Sequence, residues 1–271
     1  MKKMTCFILL ILSLSLGIPT FSQAESLKSN ANVHLKINQY FVLYSTPKAP
    51  YLSNGRLYIP LRSVSELLGG KATYEATTKL AKIELNNHKL EINTATNQTF
   101  YDGVMVQTEV ETQLYQQSLF VPMRTLVESL MVNGTWNQQQ QMFTLTNENL
   151  NKTPIFINIE EFDATDVYNQ DVFLPISYTY DIKKEKNRYT LNLSVKAQNI
   201  SGKDIPTGEE YLHPLYLFSN GGFSYDRKKG TRPAVKKNAI ITRSWKRTEL
   251  ESFQYILFEG ITGTDRTIDL P

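Results

Sequence analysis

The stretch NGRLYIPLRSVSELLGG, residues 54–70, has a second, more divergent copy, SLFVPMRTLVESL, at residues 118–130. Setting Leu57 on Leu119 also places Pro60 on Pro122, Arg62 on Arg124, Glu66 on Glu128 and Leu68 on Leu130, at a constant offset of 62 residues. A fixed offset of that kind marks one supersecondary unit used twice. In the first copy the turn signal Asn54-Gly55 precedes a short β-prone run of Leu57, Tyr58 and Ile59, and Pro60 then presets φ for the first turn of a helix. Leu61, Val64, Leu67 and Leu68 recur at the spacing of one buried helix face, and Gly69-Gly70 closes the helix. The second copy repeats the stripe with Met123, Leu126, Val127 and Leu130. Helices of two to three turns do not hold alone in water, so both are expected to be packed on a sheet.

Strand signals flank each helix. They fall at residues 72–75 and 80–85 after the first and at 134–136 and 142–145 after the second, while 88–92 alternates and leads to Asp102-Gly103, a hairpin turn pair. Residues 33–147 therefore read as two β-β-α-β-β units sharing one core. The run NGRLYIPLR followed by ELLGGKATY resembles the copper amine oxidase N-terminal (stalk) domain of many secreted bacterial proteins. In the second copy Met131-Val132 replace the expected glycine, and residues 138–141, all glutamine, fill the expected turn. The resemblance implies a stalk-type α+β fold, not the oxidase chemistry. That chemistry needs an imidazole-ligated copper and a tyrosine in an Asn-Tyr-Asp/Glu context. The chain has three histidines, His34, His88 and His213, and no tyrosine that follows an asparagine. No cofactor is expected.

Residues 1–24 carry Lys2 and Lys3, an uncharged run from 7 to 18, and the small-x-small site Ser22-Gln23-Ala24. This pattern is read as a signal peptide, with an apolar run too short to span a bilayer comfortably. Cys6, the only cysteine, lies before that run, so neither a lipid anchor nor a disulfide framework is expected. Removing the segment takes Lys2 and Lys3 from the 29 basic residues and leaves the chain nearly neutral against 26 acidic ones. The expected location is secreted or attached to the cell envelope, with no transmembrane segment after signal removal.

A polar stretch at 148–153 marks an expected boundary. Beyond it, residues 153–271 read as strands at 155–159, 172–180, 189–197, 215–218, 239–245, 253–258 and 266–270, a spacing that suggests an all-β sandwich. The run LNLSVKAQNISGKDI, residues 191–205, is similar to the second strand and turn of immunoglobulin-like domains in secreted bacterial proteins.

Charge is segregated in this half. Residues 153–182 hold Glu160, Glu161, Asp163, Asp166, Asp171 and Asp181 and no Lys or Arg, while residues 227–247 hold nine basic residues and no acid. Those nine, Arg227, Lys228, Lys229, Arg232, Lys236, Lys237, Arg243, Lys246 and Arg247, form the candidate binding site, and an anionic wall polymer or another surface protein is the expected partner. Alternatively the tract folds onto the acidic stretch. Calcium is not expected, because the order of acids around Asp163 is not that of an EF-hand loop. A near-neutral chain without a nucleic-acid fold signature points away from DNA and RNA.

Zinc-protease, serine-hydrolase elbow and P-loop motifs are absent. The expected function is a non-catalytic exported envelope protein carrying a β-sandwich binding module. A second reading is a secreted protease inhibitor or regulator that inserts an exposed loop at 217–225, and the overlapping residues 222–226 likewise read as loop. A third, a hydrolase, would gather His213 with an acid and a serine. Arg62 and Arg124 are expected to cap carbonyls or to pair with Glu66 and Glu128 rather than to hold a ligand. Tyr74 and Trp136, also equivalent, are expected to be core or rim packing groups, with stacking on a sugar as the alternative. His34 and His88 are expected to lie on strands.

Overall fold

The computed structural model describes residues 26–106, 112–157, 159, 171–225 and 232–262; the expected signal peptide, most of the acidic tract, Arg227 to Lys229 and the strand expected at 266–270 lie outside them. Along the repeat half the elements are β1 Ser26–Asn32, β2 Leu35–Ile37, β3 Tyr40–Ser45, β4 Tyr51–Ser53, β5 Arg56–Pro60, α1 Leu61–Leu67, β6 Lys71–Glu75, β7 Leu80–Leu85, β8 His88–Asn93, β9 Thr99–Tyr101, β10 Val104–Val106, β11 Gln113–Tyr115, β12 Ser118–Pro122, α2 Met123–Ser129, β13 Asn133–Asn137 and β14 Met142–Thr146. Then follow β15 Phe173–Glu185, β16 Arg188–Asn199, β17 Glu210–Phe218, β18 Phe223–Tyr225, β19 Ile240–Glu249 and β20 Phe253–Thr262.

The duplication is visible in the pairing. Strands β5 and β12 run antiparallel with Ile59 opposite Val121, Tyr58 opposite Pro122 and Pro60 opposite Phe120. Ile59 and Val121 are equivalent positions, so a local twofold axis passes between them and exchanges the two copies. Both prolines end a strand and cap the following helix, Pro60 with φ −69° and Pro122 with φ −59°. Each therefore sits one position before the first helical turn expected of it. The helices bury the expected stripe: Leu61, Val64, Leu67, Met123 and Leu126 are all 3% exposed or less.

The helix ends differ in chemistry while sharing a shape. After α1, Gly69 at φ +84° lets its N–H reach Glu66 O at 3.0 Å and the Gly70 N–H reach Ser65 O at 2.8 Å. Met131 takes the equivalent place after α2 at φ +48°, with the Val132 N–H bonded to Val127 O. A left-handed conformation crowds the Cβ of any L-residue other than glycine, and the Met131 side chain is 64% exposed and contributes little packing. Met131→Gly is therefore expected to stabilise the protein by about 0.5–1 kcal/mol, read as a higher denaturation midpoint in urea with an unchanged slope.

Four sheets organise the chain: β4, β5, β12 and β11; β6 to β10; β1, β15, β16 and β19; and a seven-stranded sheet in the order β13, β14, β2, β3, β20, β17, β18. The last takes strands from both sides of the boundary expected at 148–153, because β20 pairs antiparallel with β3. It is covered on both faces. On one face Tyr40, Val42, Leu215, Leu217, Tyr255 and Leu257 join the two helices and the β7–β8 hairpin in a first core. On the other, Phe41, Leu43, Tyr216, Ile256 and Phe258 meet Tyr178, Tyr180, Leu191, Leu193, Val195 and Trp245 of the β15, β16 and β19 sheet in a second. The architecture is a mixed α+β fold. Its rear layer is a sheet-on-sheet packing in which β1 and β3 of the N-terminal half complete the two sheets.

Two local expectations are corrected. Of the strand expected at 155–159, residues 155–157 and 159 are described and are not strand: Pro154 starts a turn in which the Ile157 N–H bonds to Thr153 O, and Phe156 and Ile159 belong to the first core. An apolar residue at every second position there coincides with a helical pair three apart, and the helical pair is the one buried. Residues 223–225, expected to lie in a loop, form β18 against β17.

Candidate functional site

Six of the nine basic residues of the candidate tract lie among the described residues, and most are already engaged. Strand β19 is the edge of its sheet, and its even positions Thr242, Ser244, Lys246 and Thr248 face outward. Its odd positions Arg243, Trp245 and Arg247 turn inward, with Trp245 edge-on to Phe258 at 5.8 Å and the Arg247 guanidinium 5.3 Å from the ring centre of Tyr216. Arg247 also pairs with Glu249. The two-residue period of R-S-W-K-R around a buried tryptophan is the signal that separates these arginines from Lys246.

Glu210, at the start of β17, is the group the tract is built around. Its side chain is fully buried. Oε1 accepts from Arg232 Nη1 at 2.7 Å, Oε2 accepts from Arg243 Nε at 2.7 Å, and Arg232 Nη1 also donates to Leu212 O at 2.6 Å. One carboxylate thus holds two guanidiniums from either end of the basic tract. Sequence reasoning passed over Glu210, although its alternation with Leu212, Tyr216 and Phe218, all in the second core, places it on an inward face.

The remaining described cations are exposed. Lys236 donates to Asp204 at 2.8 Å, and that hydrogen bond holds the Asp204 carboxyl below the usual carboxylate range while raising the lysine. Lys237 and Lys246 are open to solvent. Of the acidic stretch, the two described acids pair elsewhere, Asp171 with Lys36 and Asp181 with Lys183. The alternative in which the basic tract folds onto that stretch is replaced, among the described residues, by Glu210, Asp204 and Glu249.

The loop offered as an inserted element is mostly not a loop. Leu217 and Phe218 are buried, and 223–225 is paired strand, so the open turn is residues 219–222. His213 lies opposite Glu259 in the β17–β20 pairing, 3.1 Å away, and both side chains are 1% exposed. Solvent does not reach this pair. His34 is buried with Nδ1 2.8 Å from Gln141 O, and His88 is tied to Asp102 and Tyr101. Arg124 pairs with Glu128 as expected, at 3.9 Å and largely in solvent. Arg62 does not pair with Glu66, whose carboxylate is taken by the Tyr255 hydroxyl at 3.3 Å and the Gln254 amide at 3.5 Å. No group of three or more His, Cys, Asp or Glu that could hold a metal ion is found among the described residues. No helix among them is long and apolar enough to cross a membrane.

The model of the copper amine oxidase N-terminal domain family matches residues 36–145 and, overlapping, residues 100–178. Together the two matches span just over half of the chain, and the chain belongs to that family. The overlap follows the internal repeat. No curated protein matches the chain.

Proposed function

We propose that the protein is a non-catalytic exported component of the cell envelope, in which the stalk repeat carries an immunoglobulin-like β-sandwich that contacts anionic wall polymer. One observation carries the reading: the family match is to the N-terminal domain of the oxidases, and Glu210, Glu259 and His213, groups suited to acid–base chemistry, are held in buried pairs. The amino-terminal pattern of residues 1–24 supports export. Two sheets facing each other across the second core support the sandwich, to which residues 33–147 lend β3 and residues 153–271 most of the remaining strands of that core.

The contact with polymer falls to Lys236 and Lys237, two of the three described cations of the tract that the fold leaves exposed, with Lys228 and Lys229 of the same tract. The test uses the mature chain from residue 25 on isolated cell walls. Binding is expected to fall steeply between 10 mM and 150 mM salt, over which the screening length shrinks from about 30 to about 8 Å. Changing the four lysines to serine is expected to weaken binding several-fold, with Arg232 and Arg243 left in place to hold Glu210. Binding indifferent to both salt and the four changes would refute this contact.

A further inference from the structure

The twofold axis between the copies generates a pair of clefts. In the first, of about 210 Å³, Leu61, Arg62 and Ser63 at the start of α1 face Gln117, Ser118 and Leu119 of the other copy. In the second, of about 530 Å³, Met123, Arg124 and Thr125 at the start of α2 face Gly55, Arg56 and Leu57. Every one of these residues maps onto its counterpart under the 62-residue offset. So do the aromatic rings that wall the two clefts, Tyr74 and Trp136.

Those rings are unusual for their size in being left 46% and 37% exposed. Each sits on a strand at the margin of its sheet, β6 in one and β13 in the other. Charge is also matched. Among the described residues Arg62 is the one charged side chain lining the first cleft, and its counterpart Arg124 lines the second beside Glu128. The Arg124–Glu128 contact, long and 83% and 66% exposed, is of the kind that contributes little and exchanges readily for another anion. A broad ring, a guanidinium, and hydroxyl and amide groups along an open cleft suit a sugar ring bearing an acidic substituent: the ring stacks, and the guanidinium takes the carboxylate through its planar fork.

We propose that the two clefts are a duplicated binding site for a carboxylated glycan, with Tyr74 and Trp136 as stacking platforms and Arg62 and Arg124 as the anion contacts. The inference deepens the envelope reading and rests on it for the polymer's identity. The twofold has a consequence for polarity. A glycan strand has a direction, and a twofold reverses any direction perpendicular to its axis, so a strand lying across that axis in one cleft runs antiparallel to the strand in the other.

The probe is the alternating N-acetylglucosamine–N-acetylmuramic acid strand stripped of its peptides, titrated calorimetrically into the mature full-length chain. Two sites per chain are expected, with Tyr74→Ala and Trp136→Ala each removing one, Tyr74→Phe and Trp136→Phe retaining both, and Arg62→Gln or Arg124→Gln weakening its own site about tenfold and flattening its salt dependence. Strands with the carboxylates reduced to alcohols should match the arginine variants. The Phe variants, bound normally, separate lost stacking from lost folding. A single site, binding unaffected in the Tyr74→Ala/Trp136→Ala double variant, or displacement of the glycan by poly-glutamate would overturn the proposal, the last by pointing to an acidic peptide instead. Wall binding that persists while stripped strands fail to bind sinks the cleft assignment alone; strand binding with no effect of the four lysine changes sinks the lysine contact alone.

Discussion

A fragment ending at residue 153 is expected to be unfolded at 25 °C, and a fragment of residues 154–271 likewise, although the text of the chain divides cleanly there. The reason lies in β3 and β20. In β3, Tyr40, Phe41, Val42, Leu43 and Tyr44 are all 6% exposed or less, because alternate residues serve opposite cores. In β20, Phe253, Tyr255, Ile256, Leu257 and Phe258 are 2% exposed or less, and Tyr255 Oη donates to Ser63 O beneath α1. Cutting between the halves uncovers both faces of β3 and strips β1 from β15. Burial of five side chains of the β20 kind contributes on the order of 10 kcal/mol, as large as the whole stability of an ordinary domain. Each fragment should show the narrow amide dispersion of a disordered chain by NMR, and the intact protein should unfold in urea in one transition seen equally by fluorescence and circular dichroism. A well-dispersed spectrum from residues 25–153 alone would show that the seven-stranded sheet is not what holds the two halves together.

What could be read in the chain, and what could not, follows from where each signal resides. The repeat was legible because turn residues, prolines and a helical stripe are local, and β5, α1, β6 and β7 return as β12, α2, β13 and β14 at the same offset. The long strands β15, β16 and β19 were legible through alternation, as in Leu191, Leu193 and Val195, all buried. The partner of β3 was not, because every residue of that strand is buried and a run without a polar face carries no record of what lies beside it. The basic tract misled for a related reason. A composition of nine cations says nothing of which side chains turn inward, and the acids that engage four of the six described ones, Glu210, Asp204 and Glu249, all lie outside the tract. The family resemblance survives in the match over residues 36–178, and the clefts between the copies appear only once the two are paired around Ile59 and Val121.

Glu210 therefore decides what the basic tract is for, and its replacement is expected to be costly. Removing the carboxylate leaves the Arg232 and Arg243 side chains, 17% and 24% exposed, beside each other with no counter-charge. Breaking a buried ion cluster by taking out one member costs about 3–5 kcal/mol, whereas exchanging all members for apolar groups of similar size is close to neutral. Glu210→Gln, which keeps the shape and loses the charge, should accordingly lower the unfolding free energy by about 3 kcal/mol or more, measured by urea denaturation. The triple variant Glu210→Leu, Arg232→Leu, Arg243→Met should recover most of that loss, since the site adjoins Leu212 and the second core. This ordering, a triple change milder than a single one, is what a structural ion cluster produces and what a ligand site does not. If Glu210→Gln were instead neutral, the two guanidiniums would be shown to be well solvated without their acid. They would then return to the count of cations available to an anionic partner, and the lysines would no longer bear that contact alone.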